Sequence, residues 1–135
     1  MKATEQKVLR FIKENELLAT GEKNLVALSG GPDSVFLLHF LNKFKKKFKI
    51  EIGAVHINHK LRGKDSERDE LFCNVICDEL SIPFYLLRKD IKSYSKKNKF
   101  SLEVAGRKIR YEFFEKISKS NQYDKIATAH NADDN

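Results

Sequence analysis

Asn24-Leu25-Val26-Ala27-Leu28-Ser29-Gly30-Gly31-Pro32-Asp33-Ser34 is the stretch on which the reading of the fold turns. Its apolar first part predicts a buried strand over residues 24–29. Two glycines and a proline follow at once, and an apolar helix begins at Asp33 or Ser34. A strand that turns into a helix through Gly-Gly gathers free backbone N–H groups and the positive end of a helix dipole, which together favour an anion. The glycines let phosphate oxygens approach the backbone closely, and Pro32, which lacks an amide hydrogen, costs nothing at a helix start. Ser29 and Ser34 add hydroxyls. Asp33 would repel a phosphate unless a cation lay between them, so its presence implies Mg2+. The string is neither G-x-x-x-x-G-K-S/T nor G-x-G-x-x-G. Gly-Gly alone would suit a plain turn; the two serines and the aspartate in this context favour a phosphate loop.

Working outward, Glu5 to Leu18 carry Val8, Leu9, Phe11, Ile12 and Leu17, the pattern of a loosely amphipathic helix. The helix after the loop is apolar almost all round (Val35, Phe36, Leu37, Leu38, Phe40, Leu41, Phe44), which predicts a place between layers. The basic stretch Lys43 to Lys49 closes it, at the negative end of its dipole. A second strand is expected over Glu51 to Ile57, followed by a loop around His59 to Lys64. Ser66 and Asp69 form an S-x-x-D capping box for a third helix that runs to about Leu80. Phe84 to Arg88 reads as a strand, Ile91 to Asn98 as a lysine-rich helix, and Ser101 caps a helix through Ser118. Lys125 to Ala129 is a fourth strand, leading into His130-Asn131-Ala132-Asp133-Asp134. Alternating strands and helices predict an α/β domain with a mainly parallel sheet flanked by helices. Such sheets bind ligands at the carboxyl ends of their strands, and residues 29–34, 56–62 and 130–134 all fall there.

The chain has 135 residues, 41% of them hydrophobic and 33% charged, which suits one globular domain. It shows no internal repeat and no low-complexity linker, so residues 1–135 read as a single nucleotide-binding domain. Met1 to Asn15 is charged and has no signal-peptide run, and the longest apolar run falls short of the ~20 residues of a membrane span. A soluble, cytoplasmic protein with no membrane partner is expected. The net charge of +7 suggests a polyanionic partner, nucleic acid first among them, although lysine richness also follows from genome composition. Cys73 and Cys77, spaced i, i+4, are not a C-x-x-C pair and read as small core hydrophobes.

Ser29 to Ser34 resembles the SGGxDS loop of the ATP-pyrophosphatase (PP-loop) superfamily. His56-Ile57-Asn58-His59-Lys60-Leu61-Arg62-Gly63 resembles the H-x-N-H-x-L-R segment of tRNA(Ile)-lysidine synthetases. Ser101 to Tyr111 is similar to their S-x-E-x-x-A-R-x-x-R-Y helix, with one small residue between alanine and arginine, and Ala129 to Asp134 to their A-H-x-x-D-D element. Asn131 departs from the second histidine common in that family. The resemblance implies an adenine-nucleotide alpha-hydrolase-like, Rossmann-like fold, incomplete here. The family continues past the position of Asn135 into more catalytic domain and tRNA-binding domains. A domain truncated at its C-terminal end is therefore expected, inactive on its own and able to form a homodimer through an uncovered sheet edge.

The resemblance also implies a reaction. ATP adenylates the C2 oxygen of a cytidine in the CAU anticodon of tRNA(Ile), pyrophosphate leaves, and the amine of L-lysine displaces AMP to give lysidine. ATP and Mg2+ are the implied cofactors. Ser29, Gly30, Gly31, Pro32, Asp33, Ser34, His56 and Arg107 would bind the nucleotide. Asp33, Arg110, His130 and Asp134 would be catalytic, with Asp33 and Asp134 holding the metal. Duller readings stand beside these: Asp134 in the first turn of a helix, Arg107 in a surface pair with Glu103, His130 as structural, and His56, Asn58, His59 and Arg62 as a satisfied network. The lysine runs 43–49 and 89–99 suit solvated faces as well as RNA. A PP-loop tRNA thiolase, an amide-forming synthetase for a small molecule and a non-catalytic ATP-binding module are the competing functions.

Overall fold

In chain order the elements are β1 (Lys23–Ala27), α1 (Pro32–Phe48), β2 (Glu51–Asn58), α2 (Lys64–Glu79), β3 (Phe84–Arg88), α3 (Ile91–Asn98), α4 (Leu102–Asn121) and β4 (Lys125–Ala127). The computed structural model describes Gln6, residues 20–61 and residues 63–129. The helix expected over Glu5 to Leu18 lies outside the described residues apart from Gln6. No helix among the described residues is long and apolar enough to cross a membrane.

The four strands form one sheet in the order β3-β2-β1-β4, and every pairing is parallel. Period-two alternation then sorts the side chains. Val26, Leu28, Ile52 and Ala54 face one way and pack with Leu38, Leu41 and Phe44 of α1 and Cys73, Ile76 and Cys77 of α2. Leu25 and Val55 face the other way, against Phe113 and Phe114 of α4. A smaller cluster of Ile91, Ala105 and Ile109 joins α3 to α4. Helices therefore cover both faces, as a parallel sheet requires. The expected α/β architecture is the one found.

Strand order positions the site. From β1 the chain moves outward to β2 and β3, then returns to place β4 on the other side of β1. The carboxyl ends of β1 and β4 thus flank the point where the order reverses, which is where open α/β sheets leave a crevice.

Several boundaries differ from expectation. β1 stops at Ala27 and β4 at Ala127, each two residues early. Helix α4 runs three residues past Ser118, to Asn121. Helix α1 is a flanking helix rather than an enclosed one, since Phe36 stays 40% exposed. The capping box is the clearest correction. Helix α2 begins at Lys64 behind Gly63, which has φ 53° and makes no side-chain cap. Ser66 and Asp69 are inside the helix, three apart on one face. Ser101 does cap α4, accepting from the Val104 amide at 3.1 Å.

Candidate functional site

The loop after β1 is held by its two serines. Ser34 Oγ accepts from the Ser29 amide at 3.1 Å and donates its one proton to the Gly31 carbonyl at 3.1 Å. With that proton spent, the 3.0 Å contact between the hydroxyls must run from Ser29 Oγ to Ser34 Oγ. Ser29 Oγ in turn accepts from the Gly31 amide at 3.3 Å. The result is a one-way ring that fixes the backbone of residues 29–34. Pro32 stands at the first position of α1, so the Asp33 and Ser34 amides at the next two positions have no intrahelical acceptor. Free amides at a helix start favour an anion.

The two glycines do different things. Gly30 has φ +90°, and a Cβ there would lie 3.3 Å from the Asp69 Cβ. Gly31 is extended, and a Cβ there would meet only Ser29 Oγ, at an ordinary 3.5 Å. Gly30 is needed for the turn and for close packing against α2, whereas Gly31 leaves its outer side open.

This loop forms one wall of an open cleft of about 730 Å3 at the sheet's carboxyl end. Ser29, Gly31, Pro32, Asp33, Ser34, His56 and Arg110 all line it, so seven of the residues singled out from sequence come together. Gly30 shapes the loop from behind. Arg107 is placed elsewhere: it does not line the cleft, and its guanidinium lies 3.6 Å from Glu103 one turn back on α4. Positions 107 and 110, three apart, lie about 60° from each other around α4, yet only Arg110 borders the cleft. His130, Asp133, Asp134 and Arg62 lie outside the described residues.

Behind the cleft, the end of β2 is tied down by polar contacts. His56 Nδ1 is 2.7 Å from the Leu28 carbonyl, so that nitrogen carries the proton and donates. Cys73 Sγ lies 3.7 Å from the same nitrogen. Asn58 donates to Glu67 and Glu70, and its own oxygen accepts from the Lys60 amide at 2.9 Å. Arg88 grips Glu70 through Nε at 2.9 Å and Nη2 at 2.7 Å. The Arg88 hydrogen bonds hold the buried Glu70 carboxyl down at about 2, despite the opposing effect of burial. Asn58 is therefore part of a satisfied structural network, the duller of its two readings.

His59 is different. It lines the cleft half-buried, and its Nδ1 is a buried polar atom with no hydrogen-bond partner among the described residues. Burial, then repulsion from Arg110 and His56, pushes its pKa below the usual histidine value, so the ring is neutral near pH 7. An orphaned polar atom in a cleft is costly without a ligand group or water to meet it.

Ser66 and Asp69 do not cap α2. Both line the cleft, Asp69 against the back of Gly30. Their i, i+3 spacing in a polar segment just after β2 was the signal, but it matches a capping box equally well. Two carboxylates, Asp33 and Asp69, therefore border the cleft, a hard oxygen donor set that suits Mg2+ shared with phosphates and waters. Among the described residues no group of three or more His, Cys, Asp or Glu could hold a metal alone. The cysteines are both buried in α2, and burial raises their pKa values to about 12 for Cys73 and about 11 for Cys77. Neither is an activated thiolate.

A family model described as a PP-loop domain matches residues 1–135. A tRNA(Ile)-lysidine synthase of Clostridium perfringens (strain 13 / Type A) is 47% identical over 129 residues, covering 96% of this chain and 28% of that protein. A tRNA(Ile)-lysidine synthase of Petrotoga mobilis is 44% identical over 130 residues, covering 96% of this chain and 42% of that protein. The chain thus spans well under half the length of these curated relatives. Among solved structures, the U34-tRNA thiolase NcsA from Methanococcus maripaludis, with its 4Fe-4S cluster, aligns with a TM-score of 0.76 over 94% of this chain and 44% of that one. At 19% identity, that likeness is one of fold.

Proposed function

The chain belongs to the PP-loop domain family, and from that premise we propose that it is the ATP-binding part of an enzyme that joins lysine to a cytidine of tRNA(Ile). The observation that carries the reading is the serine-locked loop at the end of the central strand, set in a chain 47% identical to a tRNA(Ile)-lysidine synthase. The Asp33 and Ser34 amides and the open side of Gly31 receive the phosphates. Asp33 and Asp69, joined by Asp134, hold Mg2+, which would neutralise phosphate charge. Arg110, on the wall formed by α4, stabilises charge that develops at the α-phosphate, where a fixed guanidinium is well suited.

Two displacements follow in this reading. The cytidine C2 oxygen attacks the α-phosphorus as the bond to pyrophosphate breaks. The deprotonated lysine amine then attacks C2, and AMP leaves with the oxygen. The neutral ring of His59 offers one acceptor and one donor nitrogen inside the cleft, and His130 would bind phosphate or assist proton transfer. The thiolase alternative asks for a reactive sulfur, and both cysteines of this chain are buried and protonated.

The test is to incubate the full-length protein with ATP, Mg2+, labelled lysine and a tRNA(Ile) transcript bearing a CAU anticodon. Labelled lysine in the RNA, with one pyrophosphate released per lysine joined, is the expected result. Sulfur incorporation from a donor without lysine incorporation would replace this reading with the thiolase one. ATP binding without pyrophosphate release would leave a non-catalytic module. Residues 1–135 alone are expected to incorporate no lysine.

A further inference from the structure

Tyr111 lies on the rim of the cleft and is 64% exposed, the most solvent-facing large apolar or aromatic residue among those described. Phe114, one turn on, is buried against the sheet, so the two rings divide the rim from the floor. Arg107 and Lys108 stand four and three residues before Tyr111 and share its outward face of α4. Arg107 is exposed and is not consumed by the cleft. Lys108 Nζ sits 5.1 Å over the ring of Phe100, and Phe100 packs 6.2 Å from Tyr94, whose ring is covered in turn by Lys89 at 5.4 Å. Two cations thus cover a pair of half-buried rings that pack on the Ile91, Ala105 and Ile109 cluster, and this basic strip runs from α3 to the side of α4 that carries Tyr111.

We propose that this face is a track for single-stranded RNA, with Tyr111 as the platform on which an unpaired base stacks as its neighbour enters the cleft. The proposal rests on the RNA reading given above and names the surface that serves it. The chemistry fits. A base buried in a duplex cannot reach the cleft, so the substrate strand must be unpaired there, and unpaired bases are held by stacking on aromatic rings while arginine and lysine take the phosphates. Glu103, paired with Arg107, tempers the positive charge without cancelling it, since Lys108 and Arg110 adjoin. Adenine of ATP is the other nucleobase at hand. Its phosphates are fixed at the loop beside β1, whereas Tyr111 faces outward on the opposite rim, beside cations that no ATP phosphate would meet.

The experiment uses the full-length protein and measures dissociation constants for the tRNA(Ile) transcript and for Mg-ATP, in wild type, Tyr111→Ala, Tyr111→Phe and Lys108→Ala. Stacking of one base predicts that Tyr111→Ala weakens RNA binding by roughly 5- to 100-fold, that Tyr111→Phe stays within about twofold, and that ATP affinity holds in both. Lys108→Ala should lower the slope of log affinity against log salt by about 0.7, as loss of one phosphate contact on a single strand does. Unchanged RNA affinity in Tyr111→Ala overturns the proposal; a lower Tm in the same variant would show the ring packing on protein instead. Parallel loss of ATP affinity overturns it in favour of adenine, and a Phe variant as weak as Ala would mean the hydroxyl, not the ring, makes the contact. Wild type that binds Mg-ATP but no tRNA would sink the functional reading itself.

Discussion

Gly30 and Gly31 are neighbours, yet the backbone asks different things of them. At φ +90°, Gly30 occupies a conformation that costs an L-residue on the order of 1–2 kcal/mol, and its missing side chain makes room for Asp69. Gly30→Ala should therefore lower global stability by about that amount, seen as a fall in the urea midpoint. Gly31 is extended, and a Cβ there makes ordinary contact with Ser29 Oγ alone. Gly31→Val should leave the unfolding midpoint nearly unchanged while branched methyl groups fill the phosphate's place. Losing one or two charge-assisted hydrogen bonds implies a drop in ATP affinity of roughly 10- to 100-fold or more, measurable by calorimetry. Wild-type ATP affinity in Gly31→Val would remove the phosphate-loop assignment. The reading of Ser29 to Ser34 from sequence was good at this scale because glycine, proline and serine each have a narrow local chemistry. It could not tell that the serines spend their hydrogen bonds on each other, since that depends on where two Oγ atoms meet.

At the scale of elements, α2 joins the ends of β2 and β3 through one carboxylate. Glu70 takes both nitrogens of an Arg88 fork and an amide proton of Asn58. Its folded-state pKa of about 2 lies below the ordinary value of about 4.3, so the charged form is bound more strongly in the folded protein. The stabilisation is therefore complete above about pH 4.3 and is lost as pH falls toward 2. With Arg88 itself 56% exposed, solvent screening limits the effect to on the order of 1–2 kcal/mol. Urea midpoints at pH 6 and pH 3 should draw together in Glu70→Gln, because the variant starts lower and lacks this titration. An equally steep acid loss in the variant would assign it to other carboxylates. The helices and strands themselves were legible from apolar periodicity. The start of α2 was not, because Ser66-x-x-Asp69 satisfies a cap pattern while the true cap is Gly63, a glycine of positive φ that precedes Lys64. Arg107 and Arg110 show a similar limit: sequence spacing names the pair on a helix but not which member borders the cleft.

For the molecule as a whole, alternating strands and helices specified a parallel α/β sheet, but the place of β4 beside β1 rests on distant pairings such as Asn24 with Lys125, which no local pattern encodes. That order makes β1 an interior strand, with Leu25 and Val26 fully enclosed and its ladder closed on both sides. In terms of amide hydrogen exchange, the amides of Leu25, Val26 and Ala27 should open only when the whole domain unfolds, and so set its ceiling of protection. The loop that follows is hung from this interior strand, with the Leu28 amide still bonded to the Val55 carbonyl at 2.8 Å. Binding of ATP should then slow exchange at Gly30, Gly31, Asp33 and Ser34 while leaving the β1 rates tied to global stability. The wall carrying Tyr111 hangs from helix packing alone, with no ladder behind it. Exchange on the wall carrying Tyr111 should therefore report local opening of α4, whereas exchange in β1 reports unfolding of the whole domain.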